Sequence, residues 1–132
     1  KFKMIRGIGT DLLDKKRIEK LFLLYGEKFI NKILSEREKK ELKQKKNQDR
    51  QISYLSNNFA CKEAFSKALG LGFSEGLSFK DVEILRNRKG APRLELSKKV
   101  CKKVETLGFK RFHITISDTE DFSLAFIVGE GK

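Results

Sequence analysis

The sequence predicts an α+β fold: one domain over residues 1–132, with a mainly antiparallel sheet packed on helices that include one long central helix. Three observations predict it. The first half of the chain places apolar residues at helical spacing. The second half alternates apolar and polar residues between turn signals. No repeat or flexible linker divides the chain, and its 132 residues suit one compact domain.

These patterns, and the residues that begin and end them, give the order of the elements. The order is a strand at 4–10, helices at 14–25, 27–34, 35–46 and 49–69, strands at 78–87 and 93–96, a helix at 97–107, and strands at 109–117 and 122–130. In the first strand, Gly7 and Gly9 allow another backbone to approach closely. Asp11 is expected to follow that strand, where a loop begins.

Capping residues support the predicted helices. Ser35 and Glu38 form the capping-box pattern at the start of the third helix, and Ser97 can cap the last one. Gly26 and Gly70 stand where the first helix and the long central helix should stop. Between the third and fourth helices, the polar stretch KQKKNQDRQ is predicted to be an exposed turn.

The strands of the second half follow from alternation and turn residues. The RKGAP stretch separates two alternating segments and indicates a hairpin turn. In the strand at 109–117, His113 shares one face with Thr115 and Ser117, while the other face is apolar. A partly buried polar histidine is the ordinary interpretation of that position, because no catalytic spacing to a serine or cysteine supports another.

The charge of the chain restricts its partners. Thirty Lys plus Arg residues against eighteen Asp plus Glu residues give a net charge of +12. Such a chain attracts polyanions, among them nucleic acid, an anionic membrane, a phosphorylated cofactor or an acidic protein. No apolar run approaches the about 20 residues of a membrane span, and no secretory signal pattern opens the sequence. These features favour a cytoplasmic protein without a membrane segment.

The two cysteines, Cys61 and Cys101, stand beside apolar residues in helical segments and lack the spacing of metal ligands. We therefore expect both to be buried, reduced thiols.

Glu63 and Lys67 lie four residues apart in the predicted central helix and therefore share one face. The usual interpretation is a surface ion pair that contributes about 0.3–0.5 kcal/mol. A functional interpretation needs a second carboxylate, and Asp11 is the obvious candidate. Two carboxylates from distant elements can hold Mg²⁺, which takes oxygen ligands together with water and substrate phosphates. The residues alone favour the ion pair and leave the metal site open.

Several motifs occur in an order that is informative as a set. They are GIGTDLLDKKRI near the start, NFACKEAFSKALGLG in the centre, SFKDVEI, the G-x-P of Gly90–Pro92, and FHITISDTEDFSLAFIVGE. The first two resemble the N-terminal and central signatures of the holo-(acyl-carrier-protein) synthases, and the others resemble later blocks of that family. The resemblance spans nearly the whole chain and combines Asp11 and Arg17 with the central motif.

The resemblance implies the 4′-phosphopantetheinyl transferase fold and a defined activity. Members transfer 4′-phosphopantetheine from coenzyme A to a serine of apo acyl carrier protein and release adenosine 3′,5′-bisphosphate. The resemblance further implies dependence on Mg²⁺, a role in fatty acid biosynthesis, and a homotrimer whose active sites lie between neighbouring subunits.

The resemblance also implies roles for individual residues. Asp11 and Glu63 match metal ligands of the family, and Lys67 matches a lysine beside the pyrophosphate. Glu63, directly or through a metal-bound water, is the candidate base for the serine hydroxyl. His113 matches a strand histidine of the active site, and Arg17 matches an arginine that docks the acidic carrier protein. Further cofactor contacts are expected at Gly70, Gly90, Pro92 and Ser117.

Three positions depart from the family pattern. Asn58 stands where an arginine is frequent, Ala91 where a lysine is, and Asp118 where a histidine is. Each departure removes a cationic group near the expected place of the adenine-side phosphates. Other basic residues should then hold the 3′-phosphate, for example within 43–50 or from an adjacent subunit.

Two further interpretations remain open at this point. A basic module that binds RNA or DNA would explain the charge of +12 but not the set of Asp11, Glu63 and Lys67, so nucleic acid is not the expected partner. A subunit that keeps the fold without activity gains some support from the three departures.

Overall fold

The computed structural model describes residues 4–132, so residues 1–3 of the predicted domain lie outside the described part. The strands are β1 (Met4–Asp14), β2 (Val82–Arg86), β3 (Pro92–Leu96), β4 (Phe109–Asp118) and β5 (Phe122–Gly131). The helices are α1 (Lys15–Tyr25), α2 (Glu27–Ile33), α3 (Glu36–Lys43), α4 (Gln48–Leu69) and α5 (Lys98–Thr106), with a 3₁₀ turn at Phe79–Asp81. None of these helices, all within residues 4–132, is both long and apolar enough to cross a membrane.

Two antiparallel sheets hold the strands. β5 lies between β1 and β4 in a three-stranded sheet, while β2 and β3 form the predicted hairpin as a separate sheet. β1 pairs with β5 as far as Asp14, so Asp11 lies inside the strand, opposite Ala125. The expectation that Asp11 follows the strand is therefore wrong, because β5 offers backbone partners along the whole segment.

The strand predicted at 78–87 is also shorter than expected. Residues Phe79–Asp81 form the 3₁₀ turn, and only Val82–Arg86 pair with β3. The amide of Val82 donates to the Phe79 carbonyl oxygen and closes the turn. This turn brings Phe79 close to helix α2.

Helix α4 packs along the inner face of the three-stranded sheet and forms the centre of the core. A Cβ atom added at Gly7 or Gly9 of β1 would collide with the carbonyl oxygens of Ala68 and Ala64. Only glycine therefore lets the strand approach the helix so closely, as the sequence indicated.

The predicted caps are confirmed. Ser35 and Glu38 exchange both hydrogen bonds of a capping box at the start of α3. Ser97 accepts from the backbone of the first turn of α5. Gly26 and Gly70 end α1 and α4 with φ angles of +51° and +73°. Local hydrogen bonding thus sets most of the helix boundaries.

The two thiols differ in burial. Cys61 is buried in the core, and burial raises its pKa to about 12. Cys101 on α5 is exposed, so the expectation that both thiols are buried is wrong for this residue. The inward side of α5 is formed by Val100 and Val104 instead, which leaves Cys101 on the outer side.

Candidate active site

Asp11, Glu63 and Lys67 come together where β1 packs on the C-terminal half of α4. The Lys67 Nζ atom lies 3.2 Å from Asp11 Oδ1 and donates to the Thr10 carbonyl oxygen at 3.0 Å. Partial burial raises the pKa of Glu63, and repulsion from the Asp11 carboxylate adds to that effect. The fold thus brings Asp11 beside Glu63 and Lys67, which lie more than fifty positions later in the sequence.

The cluster retains unused bonding capacity. The Lys67 side chain is 55% exposed, and its ammonium is shared between the Thr10 carbonyl and Asp11. Within residues 4–132 no hydrogen bond stabilises the Glu63 carboxylate, which feels Lys67 and Arg17 only through charge. A site with an unsatisfied carboxylate and a half-exposed ammonium can accept a charged ligand.

The donor set fits Mg²⁺. Among the described residues, no group of three or more His, Cys, Asp or Glu side chains could enclose a metal ion. Mg²⁺ commonly takes only one or two carboxylates and completes its octahedron with water and substrate phosphates. A divalent cation between Asp11 and Glu63 would also remove the repulsion that raises the Glu63 pKa. The arrangement therefore suits a metal that binds together with a phosphorylated ligand.

Arg17 lies beside this cluster on the exposed side of α1. Its guanidinium carbon lies 5.8 Å from the ring centroid of Phe59, one helical turn before Glu63 on α4. Phe59 also lines a cavity of about 520 Å³ between α1, α2, α4 and the 3₁₀ turn, here called the α1–α2 pocket. Its walls are formed by Leu21, Tyr25, Phe29, Ile33, Phe59 and Phe79, with Lys28 and Lys32. An apolar recess with basic residues therefore adjoins the carboxylate site.

His113 and Ser117 do not reach this cluster within one chain. The β4–β5–β1 register places His113 in one row with Ile8, on the outer face of the sheet, whereas Asp11 points to α4 on the inner face. The His113 Nε2 atom lies 3.4 Å from Glu130 Oε2 on that outer face. The predicted polar face of β4 is confirmed, and the single chain keeps it apart from Glu63.

The predicted cofactor contacts Gly70, Gly90 and Pro92 lie in two different places. Gly70 follows Lys67 at the end of α4, and both line a cavity of about 410 Å³. A Cβ atom added at Gly70 would meet nothing within 4 Å, so its αL backbone rather than crowding favours glycine. Gly90 and Pro92 lie at the turn of the second sheet, where the Asn87 side chain accepts two backbone amides.

Two residues of the central motif have roles that the sequence did not reveal. Lys62 is fully buried and lies 2.7 Å from the equally buried Glu38. Asn58 is also fully buried; it donates to Glu38 at 2.8 Å and accepts from Arg86 at 2.7 Å. The sequence contained one clue, because positions 58, 62, 65 and 69 form a helical stripe that also carries the core residues.

Each of two departures from the family pattern has its own partner. Asn58 orients the Arg86 guanidinium, which lines a recess of about 190 Å³ with Lys45 and Arg50. Asp118 accepts from the Lys15 ammonium at 2.9 Å, and the Lys15 side chain is 9% exposed. The side chain of Asn58 is thus committed to the interior, and Arg86 is the cation that it presents outward.

Comparison with known proteins agrees with this architecture. The sequence profile of the 4′-phosphopantetheinyl transferase superfamily matches residues 7–127. The holo-[acyl-carrier-protein] synthase of Wolbachia pipientis subsp. Culex pipiens is 42% identical over 125 residues, covering 95% of this chain and 97% of the relative. The crystal structure of the Neisseria meningitidis holo-[acyl-carrier-protein] synthase has a TM-score of 0.88 and 37% identity, covering 96% of this chain and 98% of that one. The Bacillus anthracis synthase in complex with CoA (3′,5′-ADP) has a TM-score of 0.81 and 34% identity, covering 98% and 99%.

The fold is that of a phosphopantetheinyl transferase, and the chain belongs to the 4′-phosphopantetheinyl transferase superfamily. The Wolbachia, Neisseria and Bacillus relatives are all holo-(acyl-carrier-protein) synthases. The predicted family, the α+β fold class and the enzyme activity, transfer of 4′-phosphopantetheine from coenzyme A to apo acyl carrier protein, are confirmed by these matches.

Proposed function

We propose that this transfer takes place at the Asp11–Glu63–Lys67 cluster, depends on Mg²⁺, and supplies holo carrier protein for fatty acid biosynthesis. The observation that carries the proposal is the pair of electrostatically coupled carboxylates, Asp11 and Glu63, with the half-exposed Lys67 beside them. The reaction joins a serine hydroxyl to the β-phosphate of coenzyme A and breaks the pyrophosphate bond, with adenosine 3′,5′-bisphosphate as the leaving group. Catalysis of such a transfer consists mainly of positioning and charge stabilisation.

The cluster supplies both. Asp11 and Glu63 would hold Mg²⁺, which when bound contributes positive charge at the pyrophosphate oxygens. Lys67 can turn from Asp11 to those oxygens, because its side chain is exposed and its ammonium is a mobile point charge. Glu63 accepts the serine proton, directly or through a bound water.

The carrier protein docks beside the cluster, on α1 and the α1–α2 pocket. An acidic partner is attracted by the positive charges of Arg17, Lys28 and Lys32. The apolar walls of the pocket can bury apolar side chains of that partner. Phe59 belongs to the pocket and contacts Arg17, so one surface serves both attractions.

The recess formed by Lys45, Arg50 and Arg86 binds the 3′-phosphate of coenzyme A. Arg86 lies 5.1 Å from the Tyr54 ring centroid and is held by Asn58, which fixes the guanidinium in one orientation. A guanidinium held in this way suits the planar, bidentate recognition of phosphate. Arg86 would thus replace the arginine that is frequent at position 58 of the family.

The enzyme acts as a homotrimer in which neighbouring subunits complete the site. The outer sheet face is apolar and exposed, with Ile8, Leu12, Leu124 and Phe126 exposing 61%, 68%, 41% and 42% of their surface. Faces of this kind commonly mark subunit contacts. His113 lies on the same outer face, away from Glu63 of its own chain. It would therefore take part in the active site of a neighbouring subunit. Light scattering should give three times the chain mass, and a monomer at assay concentration would exclude this assembly.

We also infer a cytoplasmic location, which the two free cysteines suit. The net charge of +12 matches an anionic coenzyme and an acidic carrier, so no nucleic-acid partner is needed to explain it.

Incubation with coenzyme A, Mg²⁺ and apo acyl carrier protein tests the function. Intact-mass analysis should show the carrier gaining one phosphopantetheine group, and the gain should stop when a chelator removes the metal. If the carrier mass stays unchanged while a control transferase modifies it, the proposed function is wrong.

A further inference from the structure

A buried charged pair lies directly behind the active site. Lys62 precedes Glu63 on α4, and the side chains of Lys62 and Glu38 are both 0% exposed. Their Nζ and Oε1 atoms are 2.7 Å apart. Removing two charges from water is costly, and such a pair persists only when further hydrogen bonds satisfy both partners.

The carboxylate of Glu38 is satisfied on both oxygens. Oε1 accepts from Lys62 and from the Ser35 amide at 3.0 Å. Oε2 accepts from the Asn58 side chain at 2.8 Å and from the Ile84 amide at 3.1 Å. Glu38 would therefore keep three donors in the absence of the lysine, and its own anchoring does not require an ammonium.

The ammonium of Lys62 has two further acceptors, and both belong to the α1–α2 pocket. It donates to the Ile33 carbonyl oxygen at 2.6 Å and to the Phe79 carbonyl oxygen at 2.8 Å. Ile33 ends α2, and Phe79 begins the 3₁₀ turn, on another side of the pocket. One side chain therefore ties two pocket walls to the helix that carries Glu63.

The wall at Phe79 needs such an anchor. The segment from Gly70 to Ser78 has no helix or strand, so no continuous backbone ladder fixes the 3₁₀ turn on its N-terminal side, where Phe79 lies. The Phe79 ring stacks on Phe59 with centroids 5.6 Å apart, which orients the side chain. The hydrogen bond from Lys62 instead holds the backbone carbonyl of Phe79 against the side chain of an α4 residue.

We propose that Lys62 is a positioning residue that holds the Ile33 and Phe79 walls of the α1–α2 pocket in register with Glu63. A carrier protein seated in the pocket then presents its serine to the active site. This inference rests on the proposed docking at that pocket. Lys62 touches no reacting atom, so its contribution concerns recognition of the carrier and not the chemistry itself.

Two single variants separate positioning from simple stabilisation. Lys62→Met removes the ammonium and all its bonds while keeping an unbranched chain. Glu38→Gln removes the countercharge but leaves Lys62 with the carbonyl oxygens of Ile33 and Phe79. Both should lower the melting temperature. Only Lys62→Met should raise the KM for apo carrier protein, by about tenfold, with the KM for coenzyme A unchanged.

A double variant covers the case in which Lys62→Met fails to fold. Lys62→Met/Glu38→Gln leaves no unpaired charge in the core and should show the same increase in the KM for the carrier. Hydrogen exchange gives a readout that does not depend on activity. The amide of Val82, which donates to the Phe79 carbonyl oxygen, should exchange faster in the double variant than in Glu38→Gln.

The outcomes are distinct. An unchanged carrier KM in the folded double variant, or equal increases in the Lys62 and Glu38 single variants, would overturn the positioning role. A wild-type protein that modifies no carrier would refute the proposed function instead. In that case, the exchange rate of the Val82 amide alone decides whether Lys62 fixes the pocket wall.

Discussion

Helix α4 supplies the lysines of two lysine–carboxylate pairs, whose carboxylates come from α3 and β1, and the pairs differ in burial, spacing and hydrogen bonding. Lys62 and Glu38 are both 0% exposed, 2.7 Å apart and surrounded by further hydrogen bonds. Lys67 and Asp11 are 55% and 17% exposed and 3.2 Å apart, and Glu63 beside them lacks a hydrogen-bond partner within residues 4–132. The first pair uses its bonding capacity inside the protein. The second pair is partly exposed and can still bind a ligand, as a functional site must.

The buried pair and the exposed cluster meet at adjacent residues of α4. Lys62 and Glu63 are consecutive, but a helix rotates by about 100° per residue, so their side chains meet different surroundings.

The largest effect should come from breaking the buried pair. Lys62→Met should lower the free energy of unfolding by about 3–5 kcal/mol, because it leaves the Glu38 carboxylate buried without its countercharge. Lys67→Met should lower it by less than about 1 kcal/mol, since exposed pairs are screened by water. Urea unfolding of both variants measures the difference. Similar losses for the two lysines would remove the contrast between them.

The next largest effect concerns turnover. Glu63→Gln should reduce the transfer rate about a hundredfold or more, because it removes a metal ligand and the proposed base. Circular dichroism should remain that of the wild type. The matched control is Glu105→Gln, which neutralises an exposed glutamate on α5 and should leave the rate unchanged. Normal turnover by the Glu63 variant would show that the metal assignment is wrong.

Charge reversal on α1 should act on carrier recognition. Arg17→Glu should raise the apparent KM for apo carrier protein about tenfold, because it places a negative charge where an acidic partner docks. The KM for coenzyme A should not change. Lys98→Glu, on exposed α5, introduces the same change in net charge and serves as the control. Equal effects of the two variants would mean that only the overall charge matters.

The basic recess can be tested with a coenzyme that lacks the 3′-phosphate. Arg86→Gln should raise the KM for coenzyme A about fivefold, through loss of a charged hydrogen bond. It should leave the KM for dephospho-coenzyme A unchanged, because that molecule has no group for Arg86 to bind. An equal increase with both coenzymes would place Arg86 outside the phosphate site.

The smallest effect is a pH dependence of stability. Burial and the Asp11 charge raise the folded-state pKa of Glu63, so its contribution to stability is present at acidic pH and is lost as the pH rises through the raised pKa. Glu63→Gln lacks this titration. The variant should therefore become more stable relative to the wild type as the pH increases. Denaturant titrations at several pH values, without metal, measure the trend, and a constant difference would contradict it.

Local sequence signals foresaw much of the fold. The capping box at Ser35 and Glu38, and the glycines at the ends of α1 and α4, gave helix boundaries because caps depend on neighbouring residues. The length of β1 could not be foreseen, since it depends on pairing with β5, more than a hundred residues away. Tertiary pairing therefore decided where Asp11 lies.

The site was foreseen only in part. Asp11, Glu63 and Lys67 were identified through the family resemblance, while spacing alone favoured an ordinary ion pair. The buried network of Lys62, Glu38 and Asn58 was missed for two reasons. Glu38 lies on a different helix from its two partners, and charged residues such as lysine and glutamate usually stay at the surface. Charge pattern cannot reveal which lysine of a helix is buried.

Metal binding decides whether the exposed cluster of Asp11, Glu63 and Lys67, and not the buried network, provides the site. Mn²⁺ can stand in for Mg²⁺ and be followed by electron paramagnetic resonance in the presence of coenzyme A. If the exposed cluster holds the metal, the wild type and Glu38→Gln should each bind one ion per active site, and Glu63→Gln should bind none. Undiminished binding by the Glu63→Gln variant, with its fold intact, would show that Glu63 is not a metal ligand.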